Sequence, residues 1–243
     1  MRLLAIDTSG SACSAALSID GVISQRLEHA PRRHGELILS MMDDLLRAQG
    51  LAVTDLDALA FAHGPGSFTG LRIAAAVAQG TAFAAELPVI GISTLATLAQ
   101  GCRRERGASR VLSAFDARMG EVYWGIYVAD DQGLMRPMVD DSVCAPEAVP
   151  LAPMSGETPW FAAGDGWRAH ADVLQRRVGP LLDQGLDLAD ADRVCESQDI
   201  LPLAEDAFRR GQVVSAYAAL PVYLRNRVAS VPPRSEPPGP PLR

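Results

Sequence analysis

The alternation of apolar and polar residues near the amino terminus predicts a three-stranded antiparallel meander. Residues 2–7, 11–19 and 22–28 each form an apolar stretch of strand length. Asp20-Gly21 separates the last two stretches, and this dipeptide tolerates the positive φ angles of a two-residue hairpin. The chain is therefore expected to begin with strands that are neighbours in one sheet.

A helical pattern and then a parallel crossover follow the meander. Apolar residues recur at helical spacing over 34–49, which predicts a helix. The apolar run 56–62 predicts a buried strand, 69–86 a long helix, and 89–92 a short strand. Because a connection of this length joins parallel strands, these segments extend the sheet of the meander.

The second half repeats this plan more weakly. The predicted elements are strands at 110–116, 121–128, 134–139 and 160–163, and helices at 168–177 and 201–210. We expect an α/β protein of two lobes, each a mixed sheet with helices, related by duplication of topology. The expected bounds are 1–100 for the first lobe and 101–200 for the second, with a helix at 201–222 joining the first.

The carboxyl-terminal end has a different composition. Six of the residues in 232–243 are proline, and such a segment forms neither helix nor inner strand. We expect a disordered tail at 230–243. The alternative, a proline-motif ligand for a partner, stays open.

Composition narrows the class of function. The chain has 243 residues, 48% of them hydrophobic, and a net charge of −7, which argues against a protein whose main task is binding phosphate backbones. No apolar stretch is long enough to span a membrane, and Asp7 interrupts the first apolar run too early for a signal peptide. The four cysteines contain no CxxC pair, so reduced thiols and a cytoplasmic location are expected.

Two loops could carry chemistry. Asp7-Thr8-Ser9 ends the first strand, where a carboxylate and a small-residue hairpin can hold a magnesium nucleotide, but a plain turn explains the same residues. The loop 64–72, Gly-Pro-Gly-Ser-Phe-Thr-Gly-Leu-Arg, lies between a strand and a helix, as anion-binding loops do. It lacks the Gly-Lys-Ser/Thr of a P-loop, so a turn with Ser67 or Thr69 capping the helix is favoured.

Two apolar helix faces predict a subunit interface. Small or apolar residues at helical spacing let another helix approach closely, and Met-rich surfaces adapt to partners. The residues assigned to this interface are Leu37, Met41, Leu45, Leu71, Ala74, Ala75, Ala78 and Ala82.

Catalytic and metal-binding patterns are missing from the sequence. The four histidines lack ligand spacing, and neither a GxSxG motif nor an adjacent nucleophile–base pair occurs, so no catalytic residue and no metal site is expected. The basic residues Arg32, Arg33, Arg103, Arg104 and Arg106 are candidate RNA contacts, although exposed solvated charge is the favoured explanation.

Four motifs resemble those of the bacterial TsaB (YeaZ) family, which is glycoprotease-like. They are Leu-Ala-Ile-Asp-Thr-Ser at 4–9, the glycine-rich stretch 64–73, Phe-Asp-Ala-Arg at 115–118 with Glu-Val-Tyr at 121–123, and Pro-Val-Tyr-Leu-Arg at 221–225 with Val-Ala at 228–229. The resemblance covers about residues 1–229. It implies the two-lobed fold of actin, sugar kinases and heat-shock ATPases.

The resemblance also implies a function. The chain would be a non-catalytic activating subunit of the complex that forms N6-threonylcarbamoyladenosine beside the anticodon of tRNA. It would pair with the transferase TsaD through its first lobe and with the ATPase TsaE, would contact tRNA only through the complex, and could form a homodimer when alone. The metal-binding histidines of TsaD have no counterpart at matching positions.

Within this resemblance, three segments correspond to degenerate nucleotide loops. They are Asp7, Thr8 and Ser9, then Asp116, and then Gly164, Asp165 and Gly166. Ser9 stands where related kinases have glycine, so at most weak binding of ATP or ADP with Mg²⁺ is expected. Two alternatives are an autonomous kinase or ATPase of the same fold and, less favoured, a glycoprotease.

Overall fold

The computed structural model describes residues 1–154 and 158–225. The expectation of a tail at 230–243 therefore lies outside the described residues. No helix in the described part of the chain is long and apolar enough to cross a membrane.

The first lobe is built on a five-stranded mixed sheet. Its strands are β1 (Arg2–Asp7), β2 (Ala12–Ile19), β3 (Val22–His29), β4 (Ala58–Gly64) and β5 (Val89–Ser93). Their order is β3-β2-β1-β4-β5, with β1, β2 and β3 antiparallel and β4 and β5 parallel to β1. Asp20 and Gly21 both have positive φ, at 49° and 87°, which confirms the predicted hairpin.

The second lobe repeats the first. Its strands are β6 (Arg110–Arg118), β7 (Glu121–Ala129), β8 (Met135–Pro137), β9 (Ser142–Cys144), β10 (Trp160–Ala163) and β11 (Leu186–Asp190). The order β8-β7-β6-β10-β11 matches that of the first sheet strand for strand, and β9 pairs with β7. The duplicated two-lobed architecture is confirmed. The sequence missed β9, which is short, and β11, whose residues are mostly half-buried or exposed.

In the part of the chain that the structure describes, five α-helices cover the sheets: α1 (His34–Ala48), α2 (Phe68–Ala85), α3 (Thr94–Arg106), α4 (Asp165–Val178) and α5 (Ser197–Arg209). Helices α1 and α2 cover one face of the first sheet, and α5 covers the other. Helix α3 packs against both lobes and was not predicted, because Thr94, Thr97 and Gln100 are buried in it and obscure its apolar period.

The end predicted for the last helix was wrong. Helix α5 ends at Arg209 and does not continue to 222, because Gly211 takes a left-handed φ of 70°. Beyond it, Val214 forms a bridge with Val89 at the free edge of β5, and Ala216–Ala218 form a short 3-10 turn. This segment, residues 213–223, is called the strap below.

Candidate functional site

The hairpin predicted to hold phosphates is filled by the chain itself. Asp7, Thr8 and Ser9 are all buried. The hydroxyl of Thr8 donates to the carbonyl of Gly70 at 2.7 Å, and the amide of Ser67 donates to the carbonyl of Ser9 at 2.8 Å. The glycine-rich loop before α2 therefore lies directly on the hairpin.

Two glycines of that loop make the contact achievable. A Cβ on Gly70 would lie 1.9 Å from the carbonyl oxygen of Thr8, and one on Gly66 would lie 2.8 Å from that of Ser9. No side chain fits either space. Ser67 accepts from the amide of Gly70 at 3.4 Å, which confirms the predicted cap of α2, whereas the sequence did not indicate the contact with the hairpin.

Asp7 is a buried carboxylate with half of its hydrogen-bonding capacity unused. It is 1% exposed; Oδ1 accepts from the amide of Ser9 at 2.6 Å, and Oδ2 has no partner among the described residues. Burial raises the pKa of Asp7 above its usual value, because desolvation disfavours the charged form. The glycine-rich loop engages the Thr8 hydroxyl and the Ser9 carbonyl, so Oδ2 of Asp7 is a group of this hairpin that the described residues leave without a partner.

The second group of predicted nucleotide residues is brought together at the end of β6. Oδ1 of Asp165 accepts from the amide of Asp116 at 3.0 Å, while the carboxylate of Asp116 accepts from the amide and the guanidinium of Arg118, each at 2.8 Å. A Cβ on Gly164 would lie 2.3 Å from the carbonyl oxygen of Ala114, so the glycines serve close packing on β6. This group too is occupied by internal contacts.

Helix α3 and Cys195 join the two lobes. The thiol of Cys195 donates to the carbonyl of Thr94 at 3.2 Å, and the hydroxyl of Thr94 donates to the carbonyl of Pro65. Burial first, and then the nearby carboxylates, Asp7 and Asp165 among them, raise the pKa of Cys195 well above its usual value.

The residues predicted for the partner interface lie in the interior of the first lobe and not on its surface. Met41, Leu45, Leu71, Ala74, Ala75, Ala78 and Ala82 are buried in the core of the first lobe, and Leu37 is half-buried against it. Their apolar face packs on the lobe's own sheet, which removes it from water. These side chains cannot form an exposed docking surface.

A different face of the same two helices is exposed. It carries Leu39 of α1, 57% exposed, and Ala76, Gly80 and Ala84 of α2. We call these residues the outward face. Ala76, Gly80 and Ala84 are spaced by four, so a partner helix can approach their backbone closely. The signal was present in the sequence, but α2 has small residues on both of its faces.

A groove lies between α2 and the strap. Its volume is about 450 Å³, and it is lined by Arg72, Ala75, Ala76, Gln79, Leu220, Pro221 and Tyr223. The guanidinium of Arg72 lies 3.5 Å over the ring of Phe68 and donates to the hydroxyl of Tyr223 at 3.1 Å. We call it the α2 groove; the sequence did not indicate it, because its two walls are about 140 residues apart.

Several of the arginines considered for RNA binding are engaged in ion pairs. Arg104 donates two hydrogen bonds to Asp199, at 2.7 and 3.1 Å, and Arg106 pairs with Asp187 at 3.2 Å. Arg33 pairs with Glu28 at 3.3 Å. The Arg104–Asp199 pair ties α3 to α5, so its role is structural.

The histidines do not assemble a metal site. Within residues 1–154 and 158–225, no group of three His, Cys, Asp or Glu side chains is arranged to hold a metal ion. Burial lowers the pKa of His63 to about 4, so it is neutral at physiological pH.

Comparison with known proteins identifies relatives along nearly the whole chain. The family model described as TsaD: tRNA N6-adenosine threonylcarbamoyltransferase matches residues 21–160. The tRNA threonylcarbamoyladenosine biosynthesis protein TsaB of Escherichia coli is 47% identical over 94% of this chain and 96% of its own length. The protein of the same name from Haemophilus influenzae is 38% identical over 94% and 95%.

Solved structures agree with this result. A crystal structure titled as an uncharacterized protein with similarity to peptidase YEAZ from Pseudomonas aeruginosa matches with a TM-score of 0.81 and 44% identity, covering 92% of this chain and 99% of the other. YeaZ from Pseudomonas aeruginosa matches with a TM-score of 0.79 and 43% identity over the same shares.

Proposed function

The chain belongs to the TsaB family and has a role in tRNA threonylcarbamoyladenosine biosynthesis, and from this premise we propose that it is a non-catalytic docking subunit. It pairs with a TsaD-type threonylcarbamoyltransferase and works with the ATPase TsaE. It contacts tRNA only as part of that cytoplasmic complex.

The occupied hairpin is the observation that carries this proposal. In the actin and sugar-kinase type of fold, the hairpin after the first strand must offer free donors to phosphate. Here the hydroxyl of Thr8 donates to the glycine-rich loop and the amide of Ser9 donates to Asp7, and Gly70 allows the loop to approach the carbonyl of Thr8. An enzyme would have to break these contacts in every cycle, whereas a docking subunit keeps them.

The outward face supplies the docking surface. Leu39 and the small-residue row of α2 are exposed in the single chain, so a partner helix packed on them would bury apolar area without unfolding this lobe. The partner surface is therefore expected on the same two helices as the sequence predicted, but on the opposite side.

Co-elution tests the docking role. Purified chain is mixed with the TsaD-type transferase of the same organism and run on a size-exclusion column. We expect a shared peak for the chain and for Leu181→Glu, which changes an exposed leucine of the second lobe, and separate peaks for Leu39→Glu. A chain that never co-elutes and leaves transferase activity unchanged would remove the proposal.

Calorimetry distinguishes the alternative of an autonomous ATPase. Titration of the isolated chain with Mg-ATP is expected to release little heat, because the Thr8 hydroxyl and the Ser9 amide already donate within the chain. Tight binding followed by turnover would favour the alternative.

A further inference from the structure

Two pairs of exposed aromatic rings join α2 to the strap, one beside the α2 groove and one farther along the helix. Phe68 and Tyr223 have their centroids 5.7 Å apart, and Phe83 and Tyr217 have theirs 5.4 Å apart. All four are between about two-fifths and four-fifths exposed. Fifteen helical residues separate Phe68 from Phe83, which corresponds to about 22 Å along α2.

The walls of the groove are mostly apolar. Ala75 and Ala76 line one wall, and Leu220 and Pro221 line the other. The side chain of Gln79 donates to the carbonyl of Ala219 at 3.1 Å and holds the strap to the helix. Shallow apolar grooves edged by aromatic rings are the surfaces that bind proline-rich segments, whose extended conformation is already formed and so costs little entropy.

The proline-rich segment 231–241 of the same chain is long enough to cover this surface, and it follows the strap in sequence. Residues 231–241 contain six prolines, and at about 3.1 Å per residue seven polyproline residues cover about 22 Å. The described chain ends at Arg225, two residues beyond Tyr223, which itself lines the groove. Residues 226–234 reach about 30 Å when extended, which is enough to return to α2.

One acidic residue of the segment and one cation of the groove indicate which way the segment runs along α2. Glu236 is the one acidic residue after Arg225, and it immediately precedes the run Pro-Pro-Gly-Pro-Pro. Arg72 is the one cation lining the groove, and no ion pair is formed by it within the described ranges. We propose that the proline-rich segment 231–241 of this chain binds its own α2 groove, with Glu236 at Arg72 and the prolines running toward Phe83.

The groove shares Ala76 with the outward face, so the segment and a partner helix would compete there, and the proposal is tested on the isolated full-length chain. A nitroxide is attached through Ser235→Cys in a Cys144→Ser background, since the remaining cysteines are buried. We expect loss of the amide NMR signals of residues 72–79 and their recovery when the nitroxide is reduced.

Two substitutions of the same type serve as test and control. Ala76→Glu places a charge at an exposed position on the α2 wall of the groove and is expected to restore the lost signals. Ala48→Glu, at an exposed position of α1 outside the groove, is expected to leave the broadening unchanged. Arg72→Glu should weaken the broadening, and adding Glu236→Arg should return it.

A mixing experiment distinguishes binding of the segment to the groove of its own chain from binding to the groove of a second copy. Nitroxide-bearing chain without isotope is mixed with isotope-labelled chain without nitroxide. Broadening of residues 72–79 in this mixture would place the segment of one copy on another and overturn the proposal. Absence of broadening in the singly labelled chain, or equal broadening in Ala76→Glu, would overturn it as well.

Discussion

Substitution of Gly70 by alanine tests the claim that the glycine-rich loop seals the hairpin after β1. The added Cβ would lie 1.9 Å from the carbonyl oxygen of Thr8 and 3.0 Å from its carbonyl carbon, so the loop must move away. That movement breaks the bond from the Thr8 hydroxyl to the Gly70 carbonyl, worth about 0.5–1.5 kcal/mol. Displaced packing adds about 1–3 kcal/mol.

The expected loss is therefore about 1.5–4.5 kcal/mol in the free energy of unfolding, or roughly 3–18 °C in Tm for a chain of this size. Urea and thermal unfolding followed by circular dichroism measure it. Gly80 is the matched control: it is in the same helix and exposed, and nothing lies within 4 Å of an added Cβ.

Gly80→Ala is expected to gain about 0.5–1 kcal/mol, because alanine loses less backbone entropy in a helix. The two identical substitutions should thus move the urea midpoint in opposite directions. Equal midpoints for Gly70→Ala and the unchanged chain would refute the sealing contact.

Three further predictions concern buried charge. Burial raises the pKa of Asp7 in the folded chain, so the charged carboxylate lowers stability above that pKa and this cost disappears as the pH falls. Asp7→Asn should therefore raise the urea midpoint at neutral pH but not at acidic pH. The same gain at both pH values would contradict this. Arg104→Ala leaves Asp199 buried and unpaired and should lower the free energy of unfolding by roughly 1–3 kcal/mol, because Arg104 is partly exposed. Adding Asp199→Asn should recover part of that loss in a double-mutant cycle. Ala78→Glu buries a charge in the core and should cost several kcal/mol, whereas an unchanged unfolding curve would mean that α2 is turned differently.

Local chemistry made the strands and hairpins predictable. The meander, with Asp20-Gly21 at its turn, and the capping of α2 by Ser67 depend on residues next to one another. Their energies are set by backbone conformations and short-range hydrogen bonds, which a sequence displays directly. The glycine-rich loop between a strand and a helix was also identified from the sequence.

The contact made by Gly70 was not predictable from local sequence. Its partner, Thr8, is 62 residues away, and a glycine in a turn before a helix has a sufficient local explanation. Helix α3 was missed for a related reason: its buried Thr97 and Gln100 are satisfied by backbone groups, Thr97 by Ser93 and Gln100 by Gly133 and Met135. Neither arrangement leaves an apolar period in the sequence.

The sequence alone determined most of the helices and strands, with α3, β9 and β11 as exceptions. It also determined that the two halves share one plan and that α2 carries small residues. Only the tertiary structure decided that Ala74 and Ala78 face the sheet while Ala76 and Gly80 face water. Both sets have the same spacing and nearly the same hydrophobicity, so the choice depends on the apolar area that the sheet offers to one side of the helix.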